Sequence, residues 1–244
     1  MSQAVHSRPM SMRRSAFGHK RATAMQFRSR SENQRKQALL DQLRKQGIRD
    51  GRVLDAMERI PRQIFVEPGS EEAAWDNTAL AIPYAQTISQ PFVVALMSQA
   101  LELTGTERVL EVGTGSGYQA ALLAMLAREV ITIERIPELA ESAVSRFEQL
   151  GLNNVMSIVG DGALGWEPGA PYDAIIVTAG ARFVPSALLE QLSDANGRMV
   201  IPVGRENHAH LRRLRKQNWT IESTDLGAVR FVPLITGDED TNRA

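Results

Sequence analysis

Apolar residues recur at helical spacing once the chain passes residue 32. Ala38, Leu39, Leu40, Leu43 and Ile48 keep a 3.6-residue period, and Gly47 is placed to stop that helix. A shorter helix is predicted over 53–60, closed by Pro61. Residues 75–88 contain Pro83 and show no period, which predicts an irregular loop. A helix is predicted over 91–103, with Pro91 in its first turn and Val94, Leu96, Met97, Ala100 and Leu101 toward a core. Beyond it the pattern alternates. Short apolar runs at 108–112, 130–133, 155–159, 172–178 and 198–203 read as strands, and helical stretches at 118–127, 137–150 and 186–192 lie among them. The run Y-D-A-I-I-V-T at 172–178 is apolar on both faces, as a parallel strand covered on both sides must be. Such alternation predicts an open, mostly parallel, doubly wound α/β sheet. Short mixed runs over 211–234, with no helix between them, predict antiparallel strands at its C-terminal edge.

Composition narrows the classes. The chain has 244 residues, 43% of them apolar, which is enough for one full core. No apolar run approaches the roughly 18 residues that span a bilayer, and the first residues lack the apolar stretch of a secretory leader. There is no cysteine, which excludes disulfides and thiolate chemistry and fits a reducing cytoplasm. The balance of 28 basic and 28 acidic residues conceals an asymmetry. Residues 1–31 carry seven basic side chains and no acid, while the remainder holds 21 basic and 28 acidic, a net charge of −7. Residues 1–31 show no apolar period and are expected to form a disordered basic extension. A solvated tail, an upstream start with initiation near Met25, a nucleic-acid or membrane-surface arm and an organelle leader all fit that composition. Residues 32–244 are expected to form one domain, with a helical part at 32–104 and the sheet at 105–244.

The chemistry-bearing stretch is E-V-G-T-G-S-G-Y at 111–118. Gly113, Gly115 and Gly117, directly after a strand, let the backbone turn sharply and let a ligand approach without Cβ atoms in the way. Glu134 ends the next strand, 21 residues beyond Gly113, where a carboxylate can accept both ribose hydroxyls of an adenosine. The spacing G-x-G-x-G departs from the dinucleotide pattern G-x-G-x-x-G, and no Lys-Ser or Lys-Thr follows for a triphosphate. With Glu111 two residues ahead, the arrangement resembles the Rossmann-like S-adenosylmethionine-dependent methyltransferases. G-D-G at 160–162 follows the third strand of the alternating region, where that class has a polar residue near the adenine.

Further stretches are more specific: R-I-P-R-Q-I-F-V (59–66), W-D-N-T-A-L (75–80), Q-T-I-S-Q-P (86–91), D-A-I-I-V-T-A (173–179), I-P-V-G (201–204) and V-R-F-V-P-L (229–234). Together with V-L-E-V-G-T-G-S-G-Y-Q they resemble protein-L-isoaspartate O-methyltransferases over roughly residues 34 to 237. The resemblance implies methyl transfer from S-adenosyl-L-methionine to the free carboxyl of L-isoaspartyl, and weakly D-aspartyl, residues of aged proteins, the first step of their repair. It implies Glu111, Gly113, Thr114, Gly115, Gly117, Gln119, Glu134, Asp161 and Gly162 at the cofactor, Thr87, Ile88 and Val232 at the substrate, and Ser89 as the active-site group, with no metal. The expected partners are isoaspartyl proteins and peptides, with neither membrane nor nucleic acid, for a monomer in the cytoplasm. The family has Pro, Gly and Gly where this chain has Ala81, Pro83 and Ala85, so the loop beside the substrate should be stiffer.

The chemistry is consistent with that reading. An isoaspartyl carboxyl is of the α type, with a pKa of about 3.3–3.7, so it is an anion at neutral pH and needs no base. The chain has four His, two of them in the basic extension, and no Ser-His-Asp set, H-E-x-x-H or paired carboxylates. Ser89 can hold the carboxylate by a hydrogen bond, or cap the helix that begins at Pro91. Trp75, Trp166 and Trp219 are expected to pack rather than stack on a ligand. L-R-R-L-R-K at 211–216 reads as a solvated edge strand guarded by its charges. Methylation of a small carboxylic acid or of RNA on the same fold is the alternative activity. A nicotinamide-dependent oxidoreductase would need the other glycine spacing.

Overall fold

The computed structural model describes residues 17–205 and 208–237, with side chains from Ser31 onward. Its first helix, α1 (Phe17–Lys45), starts well ahead of the boundary expected at residue 32. Residues 17–31 are therefore helical, where disorder was expected; residues 1–16 of the basic extension lie outside the described residues. The stretch 19–45 has neither Gly nor Pro. Once Leu39, Leu40 and Leu43 are buried, extending the helix toward the N-terminus costs far less than nucleating it. α2 (Gly51–Arg59) is capped by the side chain of Asp50, which accepts from the backbone N–H of Arg52.

The stretch 75–88 is more ordered than its sequence suggests. Two three-residue strands, β1 (Leu80–Ile82) and β2 (Gln86–Ile88), pair antiparallel with Leu80 opposite Ile88. Their turn places Tyr84 at φ 61° and Ala85 at φ 54°, the left-handed pair that suits a tight hairpin. Strands this short show no alternation to read. α3 (Pro91–Ala100) follows. Its amino end is held from a distance: Asn77 Oδ1 accepts from the N–H of Phe92 at 2.9 Å, and Gln90 Nε2 donates to the Asn77 carbonyl. Gln90 occupies the cap position, so Ser89 does not cap this helix.

The main sheet comprises β3 (Arg108–Val112), β4 (Glu129–Glu134), β5 (Val155–Val159), β6 (Ala174–Val177), β7 (Ala195–Arg205), β8 (His208–Gln217) and β9 (Thr220–Val229). Their spatial order is β5-β4-β3-β6-β7-β8-β9. The first five run parallel, and the last two are antiparallel, as the C-terminal pattern predicted. α4 (Tyr118–Leu126), α5 (Pro137–Gln149) and α6 (Ser186–Gln191) connect the parallel strands. Alternate residues feed two cores. Val109, Val130 and Ile176 face the core shared with α1 to α5, while Leu110, Ile131 and Ile175 face the one that holds Leu188 of α6. The chain leaves β3 toward β4 on one side and returns to β6 on the other. The carboxyl end of β3 is thus the switch point at which such sheets bind ligands.

The basic run 211–216 lies in β8, which is second from the edge and not the edge strand that its charges suggested. Arg213 and Arg215 both pair with Glu102, and the Lys216 ammonium donates to the carbonyls of Leu189 and Leu192 and pairs with Asp194. The charges are used inside the fold. Trp75 is buried, as expected, and Trp166 packs against the second core, whereas Trp219 is 82% exposed at the tip between β8 and β9.

Candidate active site

A cleft opens at the carboxyl ends of β3, β4 and β6. One wall is the glycine loop after β3, and the other is the run Gln86–Ser89 of β2 and its exit, with Val94 and Met97 of α3 between them. Val232 to Ile235 close a third side. Each glycine of the loop has its own reason. Gly113, at φ +93°, sits so close to Thr178 that a Cβ would lie 2.4 Å from the hydroxyl oxygen. That hydroxyl donates to the Gly113 carbonyl at 2.6 Å. Gly117, at φ +89°, lets Phe147 and Ala143 of α5 pack against the start of α4. Gly115, at φ +54°, lines the cleft, where a Cβ would come within 3.8 Å of the Ile82 side chain.

Two carboxyl groups organise the loop from below. Glu134 ends β4, is 6% exposed, and accepts from the backbone N–H of Gly115 at 2.8 Å and of Ile136 at 3.0 Å. Its carboxylate lines the cleft with lone pairs to spare. Glu111 is opposite Thr132 in the β3–β4 ladder and is fully buried. Thr132 donates to its Oε2, the Thr114 hydroxyl lies 2.6 Å from that of Thr132, and Oε1 has no partner. Burial pushes the Glu111 carboxyl up to about 8, opposed by the Thr132 hydrogen bond and helped by the charge of Glu134. At neutral pH it is a neutral acid that ties the loop to the sheet.

A family model described as protein-L-isoaspartate(D-aspartate) O-methyltransferase matches residues 33–239. The chain belongs to that family. A protein-L-isoaspartate O-methyltransferase of Dictyoglomus turgidum is 52% identical over 200 residues, which cover 82% of this chain and 90% of that one. A solved protein-L-isoaspartate O-methyltransferase superposes with a TM-score of 0.74 at 27% identity, covering 82% of this chain and 66% of its own. A Plasmodium falciparum structure described as such a methyltransferase, in complex with S-adenosyl-L-homocysteine, gives 0.70 at 25% identity, over 81% of this chain and 97% of its own. The protein is thus a methyltransferase of isoaspartyl carboxyls that uses S-adenosylmethionine.

Most of the residues singled out in the sequence meet in this cleft. Gly113, Thr114, Gly115, Gln119, Glu134 and Gly162 line it, as do Thr87, Ile88, Ser89 and Val232. Three of the set do not. Glu111 points into the core beneath the loop, Gly117 is turned toward α5, and Asp161 caps its own turn, accepting from the N–H of Ala163 and, with its other oxygen, from that of Gly237. Glu111 alternates away from the cleft on β3, while Gly117 and Asp161 stand at the starts of helical turns. The site fits a nucleoside sulfonium: an open glycine backbone, an acceptor carboxylate at the tip of β4, and apolar flanks from Ile133, Ile136, Val94 and Met97.

Two further residues escaped the sequence reading. Thr178 lies at the end of the strongest strand signal, where the strand-end rule would have found it. Arg62 left no such signal. It is fully buried, its Nε donates to the Ala74 carbonyl and one Nη to the Ser89 carbonyl at 2.9 Å, and its guanidinium lies 4.7 Å over the Tyr118 ring. It joins the W-D-N segment, the Ser89 loop and the start of α4.

Proposed function

We propose that Glu134 and the glycine loop seat the cofactor while Ser89, with Thr87, Ile88 and Val232, aligns the isoaspartyl carboxylate for methylation, starting the repair of damaged proteins. S-adenosylmethionine, when bound, supplies a methyl group activated by a sulfonium. Glu134 would accept the ribose hydroxyls, and the backbone at Gly113 and Gly115 would lie against the rest of the cofactor. The observation that carries the reading is the meeting of two independent segments across one cleft: Glu134 beside the glycine loop, and T-I-S at 87–89 facing them. Ser89 makes no cap to α3, which leaves its hydroxyl available to donate to a carboxylate oxygen. No base is needed, since the nucleophile is already an anion. Ser89 orients and does not attack. The chain's part is alignment and exclusion of water, which together are worth up to about 7–11 kcal/mol for ideal placement.

The absence of cysteine supports a reducing compartment such as the cytoplasm. Among the described residues no helix is long and apolar enough to cross a membrane. The test is transfer of a tritiated methyl from S-adenosylmethionine to an isoaspartyl peptide, with its aspartyl twin as control. The isoaspartyl peptide should gain a base-labile ester and the twin should not. Equal labelling of both, or labelling of RNA or a small carboxylic acid instead, would overturn the assignment.

A further inference from the structure

Beside the reaction cleft lies a second groove, lined by Arg182, Arg205 and Arg230 over a floor that includes Phe231, Pro233 and Leu234. Pro233 and Leu234 also line the reaction cleft, so the two spaces share a wall. That wall is fixed by paired backbone bonds, Gly180 N–H to the Val232 carbonyl and Leu234 N–H to the Gly180 carbonyl, both 2.8 Å. The three arginines come from different elements: the loop after β6, the carboxyl end of β7, and the residue after β9. All are exposed, and none pairs with a carboxylate among the described residues. Other arginines of the sheet behave differently: Arg108, Arg198, Arg212, Arg213 and Arg215 all face acids. Three cations without a carboxylate partner among the described residues stand out in a domain of net charge −7. Next to them Phe183 is 72% exposed, with the Arg182 guanidinium 5.4 Å over its ring.

We infer that this groove engages acidic residues flanking the isoaspartate of a substrate polypeptide. The inference rests on the function proposed above. A polypeptide whose isoaspartate reaches Ser89 past Val232 must lay its neighbouring residues over the adjoining wall. There the groove offers cations for carboxylates and the Phe231 and Pro233 surface for side-chain stems. A nucleic acid is the competing occupant left to the test, because Phe183 and Phe231 could each stack a base.

The test compares isoaspartyl peptides of one length, carrying Glu or Gln before, after, or on both sides of the isoaspartate. At low ionic strength at least one Glu peptide should show a kcat/KM about three- to tenfold above its Gln twin, the scale of a few exposed charge pairs. That advantage should vanish near 1 M salt, where the screening length falls to about 3 Å. It should also vanish in the triple variant Arg182→Gln, Arg205→Gln, Arg230→Gln, with the Gln peptides methylated as before. Equal rates for Glu and Gln peptides, or a preference that survives in the triple variant, overturn the groove and leave the methyltransferase assignment standing. Failure to label any isoaspartyl peptide sinks both. Inhibition by a short RNA that is lost in the triple variant, without a Glu preference, would give the arginines to nucleic acid.

Discussion

Ser89, Glu134 and Glu111 show how differently the cleft and the core beneath it treat polar side chains. Ser89 offers one hydrogen bond to a charged substrate group, worth about 1.5–3 kcal/mol. Ser89→Ala should therefore lower kcat/KM for the isoaspartyl peptide by roughly 10- to 150-fold. Stability and cofactor affinity should hold, because the hydroxyl caps nothing in the fold. Glu134→Gln should do the reverse, weakening cofactor binding by roughly 1.5–3 kcal/mol in calorimetry, since its oxygens accept from Gly115 and Ile136 and face the cleft. Full peptide activity in the first variant, or unchanged affinity in the second, refutes the role concerned. Glu111 is read by pH. Its folded value of about 8 stands above the ordinary 4.5, so the folded state binds the extra proton. Its contribution to stability is complete below 4.5, declines as pH rises toward 8, and is lost beyond that. Urea unfolding between about pH 5 and about pH 8.5 should show the parent losing stability relative to Glu111→Gln, which stays neutral throughout. Parallel curves for the two proteins would show that Glu111 is not the group responsible. Glu134 was legible in the sequence from its distance to the loop, whereas the burial that changes Glu111 was not. Both are acids near strand ends, and only packing on the α1–α5 face of the sheet separates them.

At the scale of elements, the β1–β2 hairpin carries Thr87 and Ser89 to the cleft through a turn that suits glycine better than its present residues. Ala85 holds φ 54°, a conformation that costs an L-residue roughly 1–2 kcal/mol. Ala85→Gly should raise stability by about 1 kcal/mol after the added chain entropy of glycine, visible as a higher Tm. A lower Tm would mean that the Ala85 methyl makes contacts that outweigh the strain. The family resemblance led to the expectation of a stiffer loop here; the backbone shows where its strain lies. The hairpin itself was invisible in the sequence because three-residue strands are too short to show a period. The α/β alternation was visible because the central strands β3, β4 and β6 are buried on both faces and each helix keeps a longer repeat. The charges of β8 misled for a related reason: basic side chains on a strand suggest solvent, yet here Glu102, Asp194 and two backbone carbonyls receive them.

For the whole molecule, the family match begins only at residue 33. Removing residues 1–30 should leave Tm within about 2 °C and the kinetics intact, because α1 is anchored by Leu39, Leu40 and Leu43. A drop of several degrees, or a tenfold loss of kcat/KM, would show that the basic segment packs on the domain or on its substrate. By itself the sequence determined the class of fold, the cofactor and the reaction, because those depend on local facts: a strand followed by glycines, an acid one strand away, and short motifs such as T-I-S-Q-P. The tertiary structure alone decided which of those residues share the cleft and which turn inward. It showed that Arg62 ties the substrate loop to α4, that the helix after Ser89 is held by Asn77, and that three arginines converge beside the site. These depend on contacts between positions far apart in the chain. No periodicity or spacing records such contacts, because they are set by how the sheet and helices pack.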